Sequence, residues 1–117
     1  MAWRCCLCLA PMVSAQDAVK TDPKHDTVVS ENDQVRILKG HYGPHKKSIM
    51  HSHPVQLRCS SPMPRGSSVF RTGKKTPFAV KAGDAQYDAA TVHLPENTGD
   101  VGMDVIVVEL KGHAAKP

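Results

Sequence analysis

Aromatic residues are scarce in this chain: one Trp, two Tyr and two Phe in 117 residues. A nucleic-acid surface needs bases stacked on aromatics interleaved with basic side chains, and that platform is missing. Charge of one sign is also lacking. Fifteen Lys and Arg stand against eleven Asp and Glu, and the net +4 is scattered along the chain. Nucleic acid is therefore not an expected partner. Long apolar runs are absent too. The run from Cys5 to Val13 is too short to cross a bilayer. There is no Gly-rich phosphate loop, no Gly-x-Ser-x-Gly elbow, no internal repeat and no long amphipathic helix.

Cysteine is nearly confined to the first eight residues, at Cys5, Cys6 and Cys8. Those positions belong to a stretch that reads as an export signal. Met-Ala-Trp-Arg gives a short positive start, Cys5 to Val13 an apolar run, and Val13-Ser14-Ala15 a small-residue cleavage site. Cleavage there makes Gln16 the new N-terminus, places the protein in the periplasm or outside the cell, and leaves Cys59 alone with no disulfide partner.

What remains suits one domain with a modest core: about two-fifths of the residues are apolar. Nine prolines and eight glycines favour a turn-rich, all-β fold. Residues 16–26 are polar and read as an extended arm, 27–112 as a single domain, and 113–117 as a tail. "TVVSENDQVRILKGHYGP" reads as strand, turn, strand, with Val35 and Ile37 giving the second strand an apolar face at its start. "MDVIVVEL" is the clearest strand, and its continuous β-branched text suggests burial on both faces. Residues 55–76 lose the alternation.

The histidines carry the chemistry. His51 and His53 are separated by one residue, so on a strand both imidazoles leave the same face. His93 lies on a later strand segment. Two imidazoles from one strand and one from a neighbour can hold Zn, Fe, Mn, Ni or Cu and leave a position open for water or substrate. The alternative for all three is a set of inward polar residues bonded to neighbours or water. Gln86 is a candidate weak fourth donor, and Tyr42 and Tyr87 are candidate pocket-lining groups. His41, His45 and Glu96 fit solvent-exposed loop positions.

The order of these pieces resembles the two motifs of the cupin superfamily, and the chain is similar to small exported bacterial cupin proteins. His51-Ser52-His53 matches the first motif; its glutamate position falls on Leu57 or Arg58, so that ligand is missing. Gly83, His93 and Asn97 keep the ends of the second, with Ala89-Ala90-Thr91 in place of its Pro-x-Gly turn. "ENDQVRILKGHYGPHKKSIMHSHP", "KAGDAQY", "HLPEN" and "VIVVELKG" carry the likeness. The resemblance implies a small jelly-roll-like β-barrel binding a divalent metal, a small molecule or both. Homodimers are common in that superfamily. It includes metal-dependent oxygenases and isomerases as well as metal-free binding or structural modules, so whether this chain is an enzyme stays open.

Between the motifs, related cupins carry text like "VVVFLTDG…F…FPDGK" over the same length. Here the last base of each codon, read with the first two of the next, can spell "FLTDA" from Ser60 and "FPDGK" from Phe70. Residues from about 55 to about 80 therefore read as an out-of-frame translation within a cupin gene. The expected consequence is a disturbed middle that has lost central strands.

Overall fold

The computed structural model describes residues 16–61 and 63–112; the export-signal and tail readings lie outside them. The fold is all-β. One helical turn, α1 (Ala18–Thr21), precedes nine strands: β1 (Asp26–Glu31), β2 (Val35–Tyr42), β3 (His51–His53), β4 (Gln56–Ser60), β5 (Met63–Phe70), β6 (Lys75–Val80), β7 (Ala85–Asp88), β8 (Thr91–Asn97) and β9 (Met103–Leu110). They form a five-stranded sheet, β1-β2-β9-β4-β7, and a four-stranded sheet, β3-β8-β5-β6. All strand pairings are antiparallel.

The arm is not simply extended. Asp17 caps α1, its Oδ1 accepting from the Val19 and Lys20 N–H groups at 3.0 and 3.2 Å. Ala18 is fully buried.

The centre of the long sheet is β2 against β9, paired residue for residue from Val35–Leu110 to Tyr42–Met103. Burial along β9 alternates, so Met103, Val105 and Val107 point inward while Asp104 and Ile106 are exposed. This corrects the expectation of burial on both faces: one side of β9 meets solvent, as an antiparallel sheet allows. On β2 the buried residues are Leu38, Gly40 and Tyr42, whereas Val35 and Ile37 lie half-buried. The inward face is thus the opposite one from that suggested by its first residues. Leu38, Tyr42, Met103, Val105 and Val107 form the core, with Val19 and Phe78 packed against it. Gly40 is required there, since a Cβ would sit 2.7 Å from Val105 Cγ1 and 3.0 Å from Asp26 Oδ1.

The expectation of lost central strands is overturned. Residues 56–60, 63–70 and 75–80 are strands, β4 between β9 and β7, and β5 between β8 and β6. Backbone ladders need no particular side chain, so poor alternation does not prevent pairing. Pro77 is tolerated because β6 lies at a sheet edge, where a missing N–H leaves no ladder unpaired.

Candidate metal centre

β3 is short, and its pattern is buried, half-buried, buried: His51, Ser52, His53. Period two sends both imidazoles inward, as their spacing predicts. β8 lies alongside in antiparallel register that sets His51 opposite His93 and His53 opposite Thr91. Ring centroids are 4.8 Å apart for His51–His53, 5.0 Å for His51–His93 and 5.5 Å for His53–His93, all near-perpendicular. One ligand nitrogen from each ring lies within 4.8 Å of the others, and among the described residues no carboxylate joins the group. Metal–nitrogen bonds of ~2.0–2.1 Å in tetrahedral geometry would bring the most separated pair to ~3.4 Å, a closure of more than ~1 Å.

The second nitrogens decide which atoms remain free. His51 Nδ1 lies 2.8 Å from the Ile49 carbonyl, which can only accept, so Nδ1 carries the proton and Nε2 a lone pair. His53 Nδ1 lies 2.8 Å from Glu109 Oε1. Glu109 Oε2 in turn accepts from Arg36 Nε at 2.7 Å, and Arg36 also pairs with Asp17. His93 Nε2 is buried with no hydrogen-bond partner. A buried orphan nitrogen facing two oriented imidazoles fits a metal site, because an outer acceptor on the far nitrogen is the usual support of a ligating histidine.

Electrostatics agree with the geometry. Burial, reinforced by its neighbour His53, pushes the His51 pKa down to about 4. Burial and the nearby His51, His53 and Arg58 push His93 down to about 3. Both are neutral, ligand-ready imidazoles at physiological pH. Burial alone would raise Glu109, but hydrogen bonds from His53 and Arg36 outweigh it and hold the carboxylate below its ordinary value. Burial raises Asp26 to about 6, despite the opposing influence of His53 and Tyr42.

A small void of about 30 Å³ touches all three histidines, Asp26, Tyr42 and Gln56. It holds roughly one water. A larger cavity of about 330 Å³ adjoins it, lined by His93, Gln56, Arg58, Phe70 and Phe78 among others. That is enough for a small organic molecule.

Tyr42 lines the small void, buried with its hydroxyl donating to Asp26 Oδ2 at 3.3 Å. Tyr87 does not: it is 66 % exposed on the outer face of β7. Gln86 is no fourth donor either. It is exposed, and its Oε1 accepts from Arg58 at 2.6 Å. β7 is an edge strand with little burial, which leaves both side chains exposed. Of the two positions for the motif glutamate, Leu57 faces outward and Arg58 lines the cavity. Asn97 is structural: fully buried, it donates to the Tyr42, Gly43 and Val101 carbonyls and accepts from Gly99 N–H.

Sequence reasoning missed Glu109, Arg36, Asp17, Asp26 and Gln56. A signal existed for Glu109 alone. Of the two carboxylates in this apolar strand it is the one in phase with the inward Met103, Val105 and Val107.

No protein-family model matches the sequence, and no curated protein matches it. Solved structures do resemble it. A cupin domain from Bordetella pertussis Tohama I is 18% identical, with TM-score 0.64 over 85% of this chain and 98% of that one. A double-stranded β-helix protein from Klebsiella pneumoniae is 22% identical, TM-score 0.57, covering 77% and 78%. A Cupin 2 conserved barrel domain protein from Salinispora arenicola is 18% identical, TM-score 0.58, covering 97% and 91%. At such identities the likeness is one of fold, and the fold of this chain is the cupin fold.

Proposed function

We propose that this is an exported cupin-domain protein that binds a divalent metal ion through Nε2 of His51, His53 and His93. One observation carries the reading: the first two rings are held by acceptors at Nδ1, and the third presents a buried Nε2 with no partner. All-imidazole ligation suits Zn, Fe, Mn, Ni or Cu. Three protein ligands leave room for water or a small molecule, and the adjoining cavity supplies the space. A bound ion there would act as a Lewis acid or activate a molecule beside it. Catalysis by that ion would make the protein an oxygenase- or isomerase-type enzyme, and without catalysis it is a metal- or small-molecule-binding protein; without metal the same pocket is a binding or structural module. Export rests on the three-part pattern of residues 1–15. A homodimer fits the exposed apolar Leu57, Tyr87 and Ile106 on the long sheet.

The test is metal content after purification without added metal, alongside His51→Ala and His93→Ala. Near-stoichiometric metal in the parent and its loss in both variants supports the reading. A metal-free parent favours the metal-free module.

We also propose that residues from about 55 to about 80 are an out-of-frame translation. The support is compositional. Among the described residues, none of the five that form the core lies in this span. The buried residues of β5 include Gly66, Ser67 and Ser68, and buried Gln56 Oε1 and Ser67 Oγ lack partners. Clean in-frame sequence through this part of the gene would overturn it.

A further inference from the structure

Residues 16–22 are woven into β3, the strand that carries two of the three histidines. Ser52, between them, donates both its backbone N–H and its hydroxyl to the Gln16 carbonyl, at 2.7 and 3.0 Å. Asp17 forms an isolated bridge with Ser52, and the Ile49 N–H donates to Asp22 Oδ2 at 3.3 Å. The same Asp17 that caps α1 through Oδ1 pairs through Oδ2 with Arg36. Arg36 Nε donates to Glu109 Oε2 at 2.7 Å, and Glu109 Oε1 faces His53 Nδ1 at 2.8 Å. A hydrogen-bonded chain of four side chains thus runs from the arm to a ligand ring. Its inner members are nearly dry, with Glu109 4% and His53 5% exposed.

We propose that the docked arm is part of the metal centre, and that Asp17–Arg36–Glu109–His53 couples arm docking to metal affinity. The proposal rests on the metal reading above. Glu109 is the positioning residue: by accepting at Nδ1 it fixes His53 as the tautomer whose Nε2 is free. A carboxylate buried this deeply needs its cation, so Arg36 must stay inward, and Asp17 holds the outer end of Arg36. Loosening the arm frees Arg36 toward solvent and weakens the support of His53. Coupling is reciprocal, so metal must tighten the arm by the factor by which the docked arm tightens metal.

The test uses the full chain with Zn²⁺ as probe, comparing the parent with Glu109→Gln, Asp17→Asn and His93→Ala. Asparagine caps a helix as well as aspartate does, so Asp17→Asn keeps α1 and removes only the charge on Arg36. Glu109→Gln is expected to lower Zn²⁺ affinity by ~10–100-fold. A severalfold loss is expected for Asp17→Asn, and Zn²⁺ should slow amide exchange at Thr21, Asp22 and Ser52. Equal Zn²⁺ affinity in Asp17→Asn and parent, or unchanged exchange in the arm, overturns the coupling. Ring-nitrogen NMR of the metal-free protein at pH 8 gives a readout that needs no ion. His53 should be a single Nδ1–H tautomer in the parent and mixed in Glu109→Gln, whose amide can donate as well as accept. A mixed parent overturns the relay. Unchanged Zn²⁺ affinity in His93→Ala would instead sink the metal reading, leaving the tautomer result to judge the relay by itself.

Discussion

β2 and β9, at the centre of the long sheet, and β4, β5 and β6, which are divided between the two sheets, are built differently. β2 and β9 supply all five core residues and the buried Glu109. β4, β5 and β6 supply strands of similar length whose buried positions include Gln56, Ser60, Ser67 and Ser68. Ladder hydrogen bonds are indifferent to side chains, so both sets of strands exist. Hydrophobic burial is not indifferent, so stability concentrates in one of them.

Mutations sharpen that contrast. Leu38→Ala, at a fully buried site on β2, is expected to cost ~2–5 kcal/mol in a denaturant melt. Asn97→Ala should come next. Its two amide hydrogens are shared among three carbonyls and its oxygen accepts from the Gly99 N–H, so about three bonds' worth is lost, ~1.5–4.5 kcal/mol at ~0.5–1.5 kcal/mol each. On β5, Ser67→Ala removes a buried hydroxyl that has no partner, and should be neutral or stabilising. A loss above about 1 kcal/mol there would mean that β5 is as finely packed as β2. Tyr87→Ser, on the exposed edge, should stay within ~0.5 kcal/mol.

Acid tests the site side of the same contrast. Unfolded histidines titrate near 6.5, whereas folded His51 and His93 titrate at about 4 and about 3. Between these values the unfolded chain binds more protons, so metal-free stability falls as pH drops from about 6.5 toward 4. Asp26, raised to about 6 from 3.8, works in the opposite direction over the same window, and being one group against two it only moderates the loss. The net change is on the order of a few kcal/mol by linkage. In His93→Ala the slope should shrink. A parent melting profile that is flat between pH 6.5 and 4 would contradict buried, neutral His51 and His93.

The histidine centre was legible because a one-residue spacing on a strand leaves no freedom: His51 and His53 must share a face, and His93 follows on a neighbouring strand. β2 and β9 were legible as strands, though not in phase, because Val35 and Ile37 are as apolar as the residues that turn inward. β4 to β6 were invisible because their pairing rests on the backbone and on partners far along the chain, such as Gly66 with Asn97. The relay behind His53 was hidden for the same reason. Asp17, Arg36 and Glu109 are charged residues of ordinary kinds, and only the register of β2 on β9, which sets Arg36 opposite Glu109, brings two of them together.

The triad itself is tested most directly by X-ray absorption at the metal edge of zinc-loaded protein. Three imidazole ligands with at least one light oxygen are predicted. Failure to bind one zinc per chain, two or fewer imidazoles, or a sulfur from Cys59 would contradict it.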